Sequence, residues 1–154
     1  MATGSASDPT VWRTVLEAQS ALKRLYEAEM QATCGISLAW YDVLIHLSEA
    51  ADGTMRMSEL ADTLLLSRSW LTRRIDGMEA AGLVQRCRAD DDGRGVCATM
   101  TNKGRTLYRR AAGAHVGSVR EHFLAYLDSA ETQTIEACFA RIRSHARGSL
   151  LTLA

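Results

Sequence analysis

Three aspartates, Asp90, Asp91 and Asp92, stand beside Gly93 and Gly95 in the stretch RADDDGRGVCATMTNKGR, residues 88–105. Asp90, Asp92 and Gly93 occupy three positions of a calcium-loop pattern. That chemistry also needs an oxygen ligand at its first position and a bidentate Glu at its twelfth. Here those positions hold Arg88 and Thr99, so a calcium loop is excluded. A phosphate-cradling P-loop needs a Gly-Lys-Ser/Thr that the chain lacks. The four cysteines, Cys34, Cys87, Cys97 and Cys138, form no CxxC pair and have no zinc-ligand spacing. His46, His115, His122 and His145 are scattered without partners at ligand spacing, and no nucleophile–base pair appears. No enzyme, metal or cofactor is expected.

The remaining chemistry is that of a basic helix. Residues 67–81 read as helical, with Ser67 as N-cap and Gly82 as the stop. At about 100° per residue, Leu71, Ile75 and Met78 share one side, which must face the core. Ser69, Arg73 and Asp76 lie nearly opposite, with Thr72 on one flank and Trp70 and Arg74 on the other. Ser, Thr and Arg near a helix start are the side chains that bind phosphates and read base edges. The bland alternative is a solvated face, with Trp70 and Arg74 serving only for packing.

Net charge is zero, but it is unevenly spread. Residues 55–110 carry 11 Lys/Arg against 7 Asp/Glu, and the rest of the chain carries the reverse imbalance. A basic middle between acidic ends suits a module that binds a polyanion.

The surrounding elements must position that helix. Asp8-Pro9 opens a first helix that Cys34-Gly35 closes, and Trp40, Val43, Leu44 and Leu47 form the face of a second. Met57-Ser58-Glu59 opens a short third helix with Ser58 as cap, and the helix from Ser67 follows after a turn, giving a helix-turn-helix. Residues 83–88 and 96–100 read as two strands around an Asp/Gly tip, with Val84 opposite Met100, Arg86 opposite Ala98 and Cys87 opposite Cys97. Thr101 caps a long helix carrying Leu107, Ala111, Ala114, Val119, Phe123 and Leu127. Asp128 and Glu131, at capping-box spacing, open the last. The expected fold is mainly α with a small β-hairpin, a winged helix-turn-helix. Arg94, between two glycines at the tip, suits a narrow minor groove, with Asp92 as its local salt-bridge partner. The tail GSLLTLA exposes leucines, so the first and last helices are candidates for a subunit interface, unless the tail packs on its own chain. No run of 18 apolar residues and no secretory leader is found, which leads us to expect a cytoplasmic protein without a membrane span.

These residues resemble the MarR family of bacterial transcription regulators. MSELADTLLLSRSWLTRRIDGMEAAGLVQR is similar to its helix-turn-helix, Asp92-Gly93-Arg94-Gly95 to its D-x-R-[AG] wing signature, and Met100-Thr101-Asn102-Lys103-Gly104 to its L-T-x-x-G start of the fifth helix. The resemblance implies one domain over residues 1–154, with a winged helix-turn-helix lobe at 54–101 and dimerisation helices at 8–34 and 115–154. It implies a homodimeric repressor on a pseudo-palindromic duplex operator. The implied DNA contacts are Ser67, Ser69, Thr72, Arg73 and Arg94, with Asp92 bracing the wing; the outward face of the helix start adds Arg68 to them. It also implies a small effector, commonly an aromatic or phenolic anion, and Trp12, Arg13, Trp40 and His46 are the candidate pocket. Arg68, Trp70 and Gly77-Met78 depart from the family's usual residues. Two alternatives remain: a thiol switch, with Cys34 as sensor or Cys87 paired to Cys97, and a winged helix serving protein contacts.

Overall fold

The computed structural model describes residues 9–88 and 95–153. The proposed cap Asp8 and the wing residues Asp92 and Arg94 therefore lie outside the described residues. The chain divides into two units, residues 1–116 and 117–154.

In the first unit, α1 (Pro9–Cys34) starts on proline, whose fixed φ suits a first helical position, and ends at Gly35, with φ +70°. Helix α2 (Leu38–Glu49) is capped by Ser37, whose side chain accepts from the Trp40 amide at 3.2 Å. Glu27 of α1 accepts from the Leu38 amide at 2.9 Å, tying the two helices at that corner. Helices α3 (Met57–Thr63) and α4 (Arg68–Ala80) form the helix-turn-helix. Ser58 is not the cap of α3: Arg56 holds the extended cap position and makes no side-chain cap bond, while Ser58 is already helical.

Strands β2 (Val84–Arg88) and β3 (Val96–Met100) pair antiparallel in the expected register, Val84 with Met100, Arg86 with Ala98 and Cys87 with Cys97. A third strand, β1 (Thr54–Arg56), pairs with the other edge of β3. The core is drawn from every layer of this lobe. Val43, Leu44 and Leu47 of α2, Leu60 of α3, Leu71, Ile75 and Met78 of α4, and Val84, Ala98 and Met100 of the sheet are all buried. Each large apolar side chain so buried stabilises the fold by roughly 1.5–3 kcal/mol before entropy is counted.

Helix α5 (Asn102–His122) is seated on this core by Thr101, whose hydroxyl accepts from the Gly104 amide at 3.0 Å and bonds the Gly82 carbonyl at 2.8 Å. Gly104 is required there: a Cβ at that position would stand 2.2 Å from the Leu83 carbonyl oxygen. Farther along α5, Tyr108 stacks on Tyr41, and His115 meets Tyr26 and Tyr41 edge-on, joining α1, α2 and α5 through aromatic rings.

The second unit begins in the last turn of α5, which stops at His122. Phe123 leaves helical geometry and Leu124–Tyr126 form a tight 3-10 turn, so Phe123 and Leu127 do not continue the helix as the apolar spacing suggested. Helix α6 (Ser129–Leu153) follows. Its capping box is complete: Asp128 accepts from the Glu131 amide at 2.8 Å and Glu131 accepts from the Asp128 amide at 2.9 Å.

Candidate nucleic-acid interface

Helix α4 presents the residues that the sequence singled out. Ser67 sits in extended geometry at the N-cap, accepts from the Trp70 amide at 3.4 Å and shares a hydrogen bond with Ser69 at 3.1 Å. Thr72 donates to the Arg68 carbonyl at 2.8 Å, which leaves its oxygen lone pairs facing outward as acceptors. Ser67, Arg68, Ser69, Thr72 and Arg73 are all exposed, on the first two turns, while Leu71, Ile75 and Met78 hold the opposite face in the core. Hydroxyls, guanidinium groups and free amides at one helix start form a surface complementary to phosphate and base edges.

Beside this face, between α3, α4 and the wing strands, lies a hollow of about 550 Å³. Arg56, Arg68 and Arg86 line it with Ser58 and Thr72, and Leu71 and Val96 supply apolar walls. Arg86 is the residue sequence reasoning passed over. Its guanidinium reaches back from β2 to α4, with one nitrogen 2.6 Å from Asp76 and another 2.5 Å from Glu79. It also donates to the Thr72 carbonyl at 3.3 Å, and its backbone amide donates to Glu79 at 3.0 Å. Burial alone would lower its pKa; the hydrogen bonds it donates to Asp76 and Glu79, with their negative charge, outweigh that and raise it above the ordinary arginine range. The strand's period of two was the available signal, because it puts Arg86 on the face that Val84 buries.

The four proposed effector residues do not gather in one cavity of the described structure. Trp12 and Arg13 are exposed on α1. His46 is half-buried, with its Nδ1 3.9 Å from a Glu49 carboxylate oxygen. Trp40 does line a cleft, about 240 Å³ in volume, together with Ser37, Ala39, Trp70, Arg73 and Arg74. Its ring rests on Gly77, where an added Cβ would come within 3.0 Å of Trp40 Cζ2. The glycine at position 77 thus makes room for this indole. Trp70, taken from sequence as a packing residue, is instead 63% exposed. Cys34 is half-buried at the end of α1 and packs against the core, and Cys87 and Cys97 are cross-strand partners with no disulfide between them.

A helix-turn-helix followed by a β-hairpin, which β1 extends to a three-stranded sheet, with an exposed Ser/Thr/Arg helix start, defines the winged helix-turn-helix class. The family model described as MarR family matches residues 35–95. The fold is similar to that of AbsC, a MarR family transcriptional regulator from Streptomyces coelicolor, with 34% identity and a TM-score of 0.85 over 96% of this chain and 99% of that one. It is similar to Sco3205 from the same organism, solved in complex with DNA, with 27% identity and a TM-score of 0.84 over 94% and 91% of the two chains. The regulator PecS of Dickeya dadantii is 27% identical over 111 residues, 71% of this chain and 66% of PecS, just under two thirds of its length. The chain belongs to the MarR family of transcriptional regulators.

Proposed function

We propose that this protein binds duplex DNA as a homodimeric transcriptional repressor that a small aromatic anion releases. The exposed first two turns of α4 carry the DNA-binding reading. Ser67, Arg68, Ser69, Thr72 and Arg73 enter the major groove, and Arg94 of the wing enters the neighbouring minor groove with Asp92 as its brace. Sco3205, which shares this fold, has been solved with DNA, and that similarity supports the same partner here.

The test is fluorescence anisotropy with the DNA upstream of the gene as probe. Affinity falls steeply as salt rises, because phosphate contacts release counterions. Arg73→Ala and Arg94→Ala each weaken binding, by about five-fold or more if each removes a base or groove contact. Unchanged affinity in both variants, or no duplex binding by the wild type, overturns the assignment and favours a winged helix that serves protein contacts.

The homodimer is supported by the apolar surface that α1 leaves open, including Val11, Trp12, Leu16 and Leu25. The effector reading moves from the set Trp12, Arg13, Trp40 and His46 to the cleft where Trp40 meets Trp70, Arg73 and Arg74. Two indoles and two guanidinium groups fit a planar carboxylate or phenolate. A ligand there engages Arg73 in competition with DNA. 2-Naphthoate is expected to release the operator while the neutral 2-naphthamide does not, and Trp70→Ala is expected to abolish the response. Equal release by acid and amide rules out the anionic cleft.

The facing thiols Cys87 and Cys97 support a second reading, oxidation of the wing. Peroxide treatment that leaves operator affinity unaltered eliminates it.

A further inference from the structure

Helix and wing read different grooves, so their relative position decides whether both can engage one site. Arg86 is the polar joint between them. Thr72, Asp76 and Glu79 lie four and three residues apart on α4 and form one stripe along two turns. A single side chain on β2 reaches all three: the Thr72 carbonyl, the Asp76 carboxylate and the Glu79 carboxylate. Glu79 also holds the Arg86 backbone amide, so the strand itself is fastened and not only its side chain. Opposite Arg86 stands Ala98, fully buried, whose small side chain leaves the long arginine stem room to cross toward α4. With its guanidinium engaged by two carboxylates, Arg86 is committed inward and does not serve as a phosphate ligand.

We propose that Arg86 is a positioning residue for DNA recognition, fixing the wing to the recognition helix so that the two enter adjacent grooves as one rigid reader. The planar fork is essential, because a lysine is a point charge and cannot span both carboxylates in fixed geometry. This proposal rests on the DNA-binding reading above.

Four variants of the full-length protein test it: Arg86→Gln, Arg86→Lys, Arg86→Gln with Glu79→Gln, and Arg86→Gln with Arg94→Ala. Operator affinity is expected to fall about tenfold or more in Arg86→Gln, the loss expected for a disengaged groove contact. Affinity for unrelated duplex changes little, so the specificity ratio collapses. Arg86→Lys keeps the charge and recovers only part of the loss. Glu79→Gln removes one of the two carboxylate charges left uncompensated, the less exposed one, while retaining an acceptor for the backbone amide of residue 86, and it does not restore binding. Adding Arg94→Ala to Arg86→Gln costs less than Arg94→Ala alone, because the wing has already lost its place.

Full rescue by Lys or by the Glu79→Gln pair reduces Arg86 to a charge effect and overturns the proposal. So does a parallel loss on operator and unrelated DNA, or strict additivity with Arg94→Ala. Hydrogen exchange of the free protein judges the joint without DNA. Amides of β2 and β3 exchange faster in Arg86→Gln while those of the core face of α4 do not, and unchanged wing protection overturns the proposal. If the wild type binds no duplex, the DNA-binding reading fails, and the exchange experiment still decides whether Arg86 holds the wing.

Discussion

The lobe built from α2 to the start of α5 and the two terminal helices spend their apolar residues differently. In the lobe, helix and strand faces close on one core, and the polar groups between elements are tied by named bonds such as those of Arg86 and Thr101. Helix α1, by contrast, has 26 residues and a single fully buried one, Met30. Helix α6 presents Phe139 and Ile142 to solvent and buries none of its described residues. Amphipathic faces of that length are stable only when something covers them. The lobe closes most of its core by itself, whereas the terminal helices keep apolar faces that the proposed dimer would cover.

The largest expected effect lies in the lobe. Gly104→Ala sets a methyl group against the Leu83 carbonyl, and α5 must lift from the sheet to admit it. A loss of about 3 kcal/mol in urea unfolding is expected, at the upper end for overpacking a filled site. That loss is independent of protein concentration if the lobe stands alone. Ile142→Asp reverses the pattern. Its cost, roughly 1–3 kcal/mol for exposing or charging an interface residue, appears as a midpoint that varies with concentration and as monomer in sedimentation. A concentration-independent loss in Ile142→Asp would erase the distinction between the two regions.

The smallest effect compares two helix ends inside the lobe. Helices α3 and α4 close alike: Leu66 and Leu83 donate to the Ala61 and Met78 carbonyls, and Leu65 and Gly82 donate to those of Asp62 and Glu79. The residue at the turn has φ +54° in one case and +72° in the other, but it is Leu65 in the first and Gly82 in the second. Leu65 is 88% exposed, so it gains no burial to offset its left-handed backbone. Leu65→Gly is expected to raise stability by about 0.5–1 kcal/mol, the steric relief of roughly 1–2 less the extra entropy of an unfolded glycine. A thermal midpoint that falls in this variant means that the leucine has a contact the exposed turn does not suggest.

Much of this was legible in residue patterns because the signals are local. Pro9 and Gly35 bound α1, Ser67 caps α4, Asp128 and Glu131 form a reciprocal box, and β2 and β3 pair in the register counted outward from Asp92. Strand β1 escaped because three residues are too few to show alternation and its partner lies more than 40 positions away. Ser58 misled because an N-cap needs extended backbone, and the chain has already entered the helix by that residue. The exposed polar face of α4 followed from helical geometry alone. Arg86 and the Trp40–Gly77 contact did not, because both depend on which neighbour stands across a gap between elements, a tertiary relation that spacing does not encode.

The three tryptophans occupy three different surroundings. Trp12 is 64% exposed on α1, Trp70 is 63% exposed on the first turn of α4, and Trp40 lies half-buried with its ring on Gly77. The chain thus carries its own optical labels. Indole emission shifts to longer wavelength as its surroundings become wetter, so the exposed pair should emit red of Trp40. With the other two changed to Phe, Trp12 becomes a dye-free gauge of subunit association, Trp70 of whatever docks on the recognition helix, and Trp40 of the lobe's own unfolding. Three separate events can then be followed, one in each single-tryptophan variant, without attaching anything to the protein.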